Sequence, residues 1–241
     1  MAKRRIDSLL VDRGLVESRA KAQALIMAGE VKVEGKAAIK AGTLVAEEAV
    51  ITLLQPPPFV SRGGIKLDYA LDRFRLDVSS KVAADIGAST GGFTDCLLQK
   101  GASRVYAVDV GYGQLDYRLR QDKRVVVMER VNARYPLSLP EQLDLATLDL
   151  SFISVEKVIP SVARLLKDGG YLVVLLKPQF EARRDEVGKG GIIKKPLIHA
   201  RVIGRFVAWA VKNGFRVGGL LASPILGAEG NMEFFVLLRL S

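Results

Sequence analysis

The sequence predicts an α/β fold in which helices cover both faces of a mostly parallel, Rossmann-like sheet, preceded by a small α+β module. Apolar segments of strand length alternate with helical patterns from residue 81 onward. These strand segments are almost continuously apolar, which is typical of strands buried on both faces. The stretch QPPPFVSRGG separates them from the shorter patterns before it, since its prolines exclude helix. We therefore expect two domains, residues 1–58 and residues 59–241, with a proline-rich linker near residues 55–60.

The composition is that of a basic, cysteine-poor globular protein. Of 241 residues 49% are hydrophobic, and 36 Lys and Arg against 26 Asp and Glu give a formal net charge of +10. Excess positive charge suits a polyanionic partner, although it also serves solubility alone. One cysteine excludes an intrachain disulfide and one histidine leaves too few imidazoles for a histidine metal site, so no metal is expected. No apolar run approaches the roughly 18 residues of a membrane span, which favours a cytoplasmic protein without membrane contact.

The first module starts with two short helical patterns. RIDSLLVDRG predicts a helix that ends at Gly14, and SRAKAQALIMAG predicts a second helix with Ser18 as its N-cap. Short strands follow in EVKVEG, where valines alternate with charges, and in VITLL. The module is thus predicted to be a helical pair with a few short strands.

Basic residues recur in and beside these two helices, although residues 1–58 carry only nine basic and seven acidic residues in total. A surface that gathers the basic side chains would face phosphate oxygens; the alternative is a charged, solvated face. The candidates for RNA contact in this module are Lys3, Arg4, Arg5, Arg13, Arg19 and Lys21.

The second module alternates strands with helices after an opening helix that begins near SRGG. In chain order, the predicted elements are strand KVAADIGA, a helix over residues 92–100, strands RVYAVDV, RVVVMERV and LDLATLDLS, a helix near VEKVIPSVARLLK, strand GYLVVLLK, helix PLIHARVIGRFVAWAVKNG, and strands FRVGGLLASPI and NMEFFVLLRL.

The turn DIGASTGGF, residues 85–93, joins the first strand of this sheet to its first helix. Ligands of such sheets lie beyond the carboxyl ends of the strands. The spacing is neither the dinucleotide fingerprint nor a phosphate-binding loop with its lysine, and Asp85 disfavours a pyrophosphate. Two carboxylates, Asp85 and the strand-end Asp109, instead suit a ligand with amino and hydroxyl donors such as S-adenosylmethionine. The alternative is a glycine turn without a ligand.

Four polar residues stand at positions that suggest chemistry. Asp149 and Lys177 end apolar strands, in TLDLSFIS and VVLLKPQFE, whereas Lys66 lies on the opening helix. Glu233, in GNMEFFVLL, is predicted to begin the last strand. A buried lysine needs a carboxylate partner, so each residue considered alone also fits a purely structural ion pair.

Further basic residues lie after the strand that ends at Lys177 and just before Lys66. The segment EARRDEVGKGGIIKKP, residues 181–196, is predicted to be a loop that clamps an RNA backbone or is merely solvated. Its candidates for RNA contact, with one from SRGG, are Arg62, Arg183, Arg184 and Lys189. Cys96, His199 and Trp209 lie on helical patterns, and we expect them to pack rather than react.

Two families resemble this chain in the motifs above. Residues 3–55, with SRAKAQALI and the AGEVKVEGK hairpin, resemble the S-four RNA-binding domain. The four polar residues resemble the Lys-Asp-Lys-Glu tetrad of FtsJ-like ribose 2′-O-methyltransferases, which have a class I methyltransferase sheet. The whole order, from the S-four module through SRGGIKL, DIGASTGGFTD, LDLSFIS, KPQFE and GNMEFF, resembles the TlyA family, also called hemolysin A.

This resemblance implies an S-adenosylmethionine-dependent enzyme that methylates the 2′-oxygen of cytidine in ribosomal RNA. It implies a catalytic tetrad of Lys66, Asp149, Lys177 and Glu233. The implied cofactor-binding residues are Asp85, Gly87, Ser89, Gly91, Gly92, Phe93, Asp109, Glu129 and Asn132. Shorter members of the family tend toward large-subunit RNA alone, and the short flanks of this chain favour that substrate over small-subunit RNA.

Three other functions remain open at this point. A noncatalytic ribosome-binding or assembly factor would keep the fold without the reaction. A membrane-active hemolysin has no spanning helix or signal peptide to support it. A base methyltransferase often uses an Asn-Pro-Pro-aromatic segment, whereas this sequence reads DLSF at the corresponding place.

Overall fold

The computed structural model describes residues 3–38, 40–54 and 58–240. The chain divides into two compact units, residues 1–58 and 59–241. Pro56 and Pro57 of the expected linker lie outside the described residues.

The first unit joins two helices to two small antiparallel sheets. Its elements are β1 (Lys3–Arg5), α1 (Ile6–Asp12), α2 (Arg19–Met27), β2 (Val31–Val33), β3 (Lys36–Ala37), β4 (Leu44–Ala46) and β5 (Ile51–Leu53). Strand β1 pairs with β4, and β2 lies between β3 and β5. A small apolar core, including Ile6, Leu10 and Ile26, lies between the helices and the strands.

Both predicted helices of this unit are confirmed. The Ser18 hydroxyl caps α2 by accepting a hydrogen bond from the Lys21 amide at 3.2 Å. The pair β1 and β4 was not predicted, because neither three-residue segment shows an alternating apolar pattern. Lys3, Arg4 and Arg5 consequently lie on a strand rather than in a helix.

The second unit begins with α3 (Arg62–Phe74), and its sheet strands follow. The remaining elements are β6 (Val82–Ile86), α4 (Gly92–Gln99), β7 (Arg104–Asp109), α5 (Tyr117–Gln121), β8 (Val125–Glu129), β9 (Leu143–Leu148), α6 (Ile159–Ala163), β10 (Leu166–Leu176), α7 (Pro178–Glu181), α8 (Pro196–Lys212), β11 (Phe215–Ala222) and β12 (Phe234–Leu240).

The seven strands of this unit form one mixed sheet in the order β11-β12-β10-β9-β6-β7-β8. Strands β10, β9, β6, β7 and β8 run parallel to one another, and β12 pairs antiparallel with both β10 and β11. The predicted α/β class with a mostly parallel sheet is confirmed. Because β6 and β9 are neighbours, the turn after β6 and the end of β9 meet at one edge of the sheet.

The structure differs from the prediction at two boundaries and in two short helices that were not predicted. The helix expected through Lys167 ends at Ala163, because β10 already begins at Leu166 and continues through an irregularity between Leu166 and Tyr171. Strand β12 starts at Phe234, so Glu233 precedes the strand instead of beginning it. The short helices α5 and α7 lie within segments too short for a helical repeat to be recognised.

Two apolar layers cover the faces of the sheet. One includes Ile159, Val202 and Phe206 from α6 and α8, and the other includes Leu67 and Leu71 from α3. Within the described ranges, none of the helices combines the length and apolar character that a membrane crossing requires.

Candidate active site

Asp85 lies near the carboxyl end of β6 and is fully buried. Its Oδ2 accepts hydrogen bonds from the Thr94 amide at 2.9 Å and the Thr94 hydroxyl at 2.8 Å. Its Oδ1 accepts a hydrogen bond from the Thr147 hydroxyl at 3.2 Å. The carboxylate therefore joins β6 to the first turn of α4 and to β9, rather than facing a ligand directly as its position in the sequence suggested.

Burial raises the pKa of Asp85 to about 7, against the opposing effect of the hydrogen bonds from Thr94 and Thr147. A carboxyl group whose pKa is higher in the folded state binds more protons when folded than when unfolded, between pH 4 and pH 7. Its contribution to the free energy of unfolding is thus greatest at low pH and declines as the pH rises through that window.

We expect Asp85→Asn to remove this decline, because the amide does not titrate and can still accept from Thr94. Denaturant unfolding of the native sequence and the variant at several pH values between 4 and 7 measures the effect. The difference in stability between the two proteins should change with pH in favour of the variant as the pH rises. Parallel stability curves for the two proteins would contradict the assignment.

The glycines of the loop after β6 are required by contacts within the protein. A Cβ on Gly87 would lie 2.5 Å from the backbone oxygen of Asp149. A Cβ on Gly91 would overlap Leu119, and one on Gly92 would overlap the Ser61 hydroxyl. Gly87 and Gly91 also have positive φ angles of 88° and 95°, which disfavour other residues. Contacts within the protein therefore explain these three glycines without a ligand.

The side chain of Phe93 also packs in the protein interior. Its side chain is buried and its ring packs against Phe235 of β12, with the ring centroids 6.2 Å apart. The aromatic residue of the loop thus fixes α4 to the sheet rather than facing the cavity described next.

A cavity of about 500 Å³ opens at the carboxyl edge of β6, β7 and β9. Its volume lies in the range of small-molecule and cofactor sites. Most of its wall is apolar, with polar groups from the loops that follow the three strands. It is lined by Ile86, Gly87, Ser89, Val108, Asp109, Val110, Gln114, Val131, Asn132, Ala133, Arg134, Asp149, Leu150, Ser151, Phe152, Ile153 and Val158.

Asp109 is the carboxylate best placed to serve this cavity. It ends β7, and it accepts hydrogen bonds from the Ser89 amide at 2.8 Å and the Gly111 amide at 2.7 Å. The Ser89 amide belongs to the loop after β6, so Asp109 joins the two loops that form the cavity wall. Each carboxylate oxygen keeps acceptor capacity for a further donor.

Of the nine cofactor-binding residues suggested by the sequence, four line the cavity: Gly87, Ser89, Asp109 and Asn132. The other five, Asp85, Gly91, Gly92, Phe93 and Glu129, are not among its lining residues. Glu129 accepts a hydrogen bond from the Gly113 amide at 2.9 Å and pairs with Arg120, which shapes the loop after β7.

The four tetrad candidates form two ion pairs. Nζ of Lys66 lies 2.6 Å from Oε2 of Glu233, and Nζ of Lys177 lies 2.5 Å from Oδ1 of Asp149. Nζ of Lys177 also donates to the Ser151 hydroxyl at 3.1 Å. Little of any of these side chains is exposed, so each charge has the partner that burial requires.

Strand register brings the two pairs to one edge of the sheet. Leu176 of β10 pairs with Phe234 of β12 in antiparallel register. Lys177 and Glu233 therefore occupy the next register position, directly beyond the paired strands. Leu148 of β9 pairs with Val174 of β10 in parallel register, which places Asp149 at the same edge. Asp149 also lines the cavity and thus connects the tetrad to it.

The segment between Asp149 and Ile153 contains two residues that the sequence analysis did not select. Ser151 contacts Lys177, and Phe152 has a positive φ of 65° and is 89% exposed. The Phe152 ring lies 5.1 Å from the ring of Phe180, centroid to centroid. An exposed aromatic residue in left-handed backbone geometry is uncommon. The only sign of this exposed residue in the sequence is that an aromatic residue stands in the segment DLSF.

Most basic candidates of the first unit are occupied by partners within that unit. Arg5 and Arg19 both contact Asp7, and Arg4 contacts Asp12. Arg13 donates to the backbone oxygens of Glu47 and Ala49. The two lysines, Lys3 and Lys21, are exposed.

The basic candidates of the second unit lie at its surface. Arg62 is exposed at the start of α3 and donates to the Leu226 backbone oxygen at 2.9 Å. Arg183 and Arg184 are exposed beyond α7. The side chain of Lys189 lies outside the described part of the chain.

The segment expected to be a loop begins at Glu181, the last residue of α7, and contains two short 3-10 turns. Asn231 secures it, because Oδ1 accepts from the Ile193 amide and Nδ2 donates to the Gly191 oxygen, both at 2.9 Å. His199 contacts the Ile193 oxygen, and Trp209 packs against Phe206. Cys96 is buried. These three residues pack, as their helical patterns indicated.

Two family models match the chain. The model described as FtsJ-like methyltransferase matches residues 59–240, and the model described as S4 domain matches residues 4–51. The boundary between the two matches falls between the two compact units of the structure.

Curated relatives cover almost the whole chain. A protein of Bacillus subtilis named "Putative rRNA methyltransferase YqxC" is 48% identical over 98% of this chain and 86% of its own length. The "16S/23S rRNA (cytidine-2'-O)-methyltransferase TlyA" of Mycobacterium tuberculosis is 43% identical over 99% of this chain and 91% of its own length. A solved structure from Streptococcus thermophilus, described as a "Putative hemolysin", is 44% identical with a TM-score of 0.75 and covers 100% of this chain and 90% of its own.

Proposed function

The chain belongs to the TlyA family of FtsJ-like methyltransferases with an S-four domain, and we propose that it methylates the 2′-oxygen of a cytidine in ribosomal RNA, with S-adenosylmethionine as methyl donor. One observation supports the reaction above all others. Two carboxylate-paired lysines stand at the edge of the sheet where a cavity of cofactor size opens. The large-subunit RNA is the favoured substrate, and small-subunit RNA is the alternative.

We assign the two tasks to different parts of the chain. Residues 1–58 form the RNA-binding domain, and residues 59–241 form the methyltransferase domain. Ribosomal subunits are cytoplasmic, and the net charge of +10 suits an RNA partner. We therefore place the protein in the cytoplasm, on ribosomal subunits.

The cavity fits S-adenosylmethionine in its chemistry. Asp109 offers carboxylate oxygens to ribose hydroxyls, and Val110 and Ile153 offer apolar wall for an adenine. Gly87 and Asn132 complete the proposed set with polar backbone and side-chain groups. The loop that carries Gly87 and Ser89 is held in place by residues that do not line the cavity themselves: Asp85, Gly91, Gly92 and Phe93. Glu129 acts similarly on the loop after β7.

The cofactor supplies a sulfonium methyl group with a good leaving group, so the protein needs mainly to align the ribose hydroxyl and manage its proton. Nζ of Lys177, held by Asp149 and Ser151, is the proposed group at the attacking 2′-oxygen. It either accepts the proton or stabilises the developing alkoxide as a cation. Lys66, held by Glu233, steadies the ribose from the β12 side.

Phe152 supplies a surface for the base of the target nucleotide. Phe152 lines the cavity together with Asp149, is 89% exposed, and contacts Phe180 at a tilt of 50°, so most of its ring is accessible for stacking. Single-stranded or flipped-out nucleotides in RNA are commonly recognised by stacking on aromatic side chains. Stacking of the base on Phe152 would favour a ribose, rather than a base atom, beside Lys177.

Transfer of tritiated methyl from S-adenosylmethionine to purified, unmodified ribosomal subunits tests the proposal. We expect label on the large subunit at a discrete cytidine, with the 2′-O-methyl located by reverse transcription at limiting nucleotide. Label on a base would indicate base methylation instead. Cofactor binding without label on either subunit would favour a noncatalytic assembly factor.

A further inference from the structure

Residues 149–155, which follow β9, lie alongside residues 177–181, which follow β10. Strands β9 and β10 are parallel neighbours, so their ends leave the sheet side by side. Three contacts between the two segments involve groups assigned to the reaction: Lys177 with Asp149, Lys177 with Ser151, and Phe180 with Phe152. A fourth contact is made by Glu181, which lies outside the set of residues that line the cavity.

Glu181 holds the end of the segment that follows β9. Its Oε1 accepts a hydrogen bond from the Val155 amide at 2.9 Å, and the Ser154 hydroxyl is a second hydrogen-bond partner of the carboxylate. Glu181 is fixed in turn, because it ends α7 and its backbone oxygen accepts from Arg205 of α8. Burial raises the pKa of Glu181, so a carboxylate at this position is unfavourable unless its acceptor oxygens are used.

Phe152 has a backbone conformation that its own side chain does not stabilise. Its φ of 65° lies in the left-handed region, which is disfavoured for a bulky residue, and its side chain is 89% exposed. Such a conformation persists only where the surrounding structure imposes it. On one side of Phe152, the Asp149 amide donates to the Ile86 oxygen at 3.0 Å. On the other side, Glu181 holds the Val155 amide. The strained residue therefore lies between two fixed ends.

We propose that Glu181 is a positioning residue that holds the turn at Phe152 in its left-handed conformation, with the ring placed for the base of the target nucleotide. This proposal rests on the proposed function, because Phe152 is the stacking surface assigned there. Glu181 touches neither the cofactor nor the nucleotide. Without its acceptor oxygen the Val155 amide is released, and the turn relaxes to an ordinary backbone conformation that moves the ring away from its place near Lys177.

Two replacements of Glu181 separate its hydrogen bonds from its charge. In Glu181→Gln the amide oxygen can still accept from the Val155 amide, whereas Glu181→Ala has no acceptor. We expect single-turnover methyl transfer to large ribosomal subunits to fall about 10- to 100-fold in Glu181→Ala, because a displacement of about 1 Å can slow a reaction that much. Glu181→Gln should stay within about threefold of the native rate. The dissociation constants for cofactor and for subunits should hardly change in either variant.

Glu156→Ala is the matched control, because Glu156 follows Val155 directly and its carboxylate is close enough to Glu181 to raise the pKa of that group. Glu156 gives its backbone amide, rather than its carboxylate, to the Ser154 hydroxyl. We expect Glu156→Ala to transfer methyl at the native rate. A native rate in Glu181→Ala would overturn the proposal, and so would a loss in Glu181→Gln as large as that in Glu181→Ala.

A double-variant cycle distinguishes the positioning of Phe152 from a general loss of stability. If Glu181 acts through Phe152, adding Glu181→Ala to Phe152→Ala should slow transfer by less than about threefold, because the ring that Glu181 positions is already absent. A general structural defect would instead multiply with the loss in Phe152→Ala. Multiplied losses would overturn the proposal, and so would a native rate in Phe152→Ala.

A milder variant provides the test if denaturant unfolding shows that Glu181→Ala does not fold. Glu181→Asp keeps the carboxylate but shortens the side chain by one methylene, which withdraws the acceptor from the Val155 amide. We expect transfer to fall about threefold to tenfold, and an unchanged rate would overturn the proposal. Absence of transfer by the native chain would overturn the proposed function, whereas native transfer with unaffected variants would overturn the role of Glu181 alone.

Discussion

Lys177→Ala is expected to lower the rate of methyl transfer by about 10²- to 10⁴-fold, the range that a positioned proton-transfer group contributes. The substitution removes Nζ from the edge of the sheet and leaves Asp149 without its ion-pair partner. Cofactor affinity should change much less, since Lys177 is not among the residues that line the cavity. Single-turnover transfer to large ribosomal subunits, with cofactor binding measured separately, gives both quantities.

Lys167→Ala is the matched control, because Lys167 lies on the same strand at its other end. It forms a half-exposed ion pair with Asp144 at 2.8 Å, and such pairs contribute little. We expect this variant to transfer methyl at the native rate. Full activity in Lys177→Ala would remove Lys177 from the reaction, and loss of cofactor binding together with transfer would indicate a structural role.

Gly87→Ala is expected to damage both stability and activity. Its Cβ would meet the backbone oxygen of Asp149 at 2.5 Å and the Leu150 side chain at 3.2 Å. Asp149 cannot easily retreat, because its amide donates to the Ile86 oxygen at 3.0 Å. Left-handed backbone at an alanine adds roughly 1–2 kcal/mol to the cost of the overlap.

We expect Gly87→Ala to lower the free energy of unfolding by about 2–4 kcal/mol and methyl transfer by about 100-fold, because it displaces Asp149 and the cavity wall. Denaturant unfolding and the transfer assay measure the two effects. Gly204→Ala is the control, since Gly204 lies within α8 with no atom near the position of a Cβ. That variant should be as stable as the native sequence or slightly more so. Equal behaviour of the two variants would show that the overlap at Gly87 is relieved without cost.

The strands and helices of the second unit were largely predictable because each carries its signal locally. The apolar segments around Val82, Val105 and Leu145 became neighbouring strands, and their burial on both faces produced the continuous apolar pattern. The local sequence pattern did not predict an element, or its boundary, correctly where the element was very short or contained glycine. Strand β10 begins at Leu166 and runs through Gly169, whereas the strand predicted from the sequence began only at Gly170.

The sequence named candidate residues for the site but not the contacts between them. Lys66 and Glu233 could be named from their motifs, but their 2.6 Å ion pair joins positions 167 residues apart. Asp85 was expected to face a ligand, and the fold instead surrounds it with threonines from α4 and β9. No local pattern encodes such partners, since they are set by which strands become neighbours.

The class of the fold, the order of its main elements, the positive charge and the four candidate residues Lys66, Asp149, Lys177 and Glu233 could all be read from the sequence. These follow from apolar periodicity and from residue types, which are properties of short segments. The ion pair of Lys177 with Asp149, and the need for glycine at position 87 next to the Asp149 backbone oxygen, are visible only once the chain is folded. The same holds for the buried carboxylate that Arg5 and Arg19 share. Each of these depends on the distance between atoms that are remote in the chain, and that distance is fixed only when the elements pack.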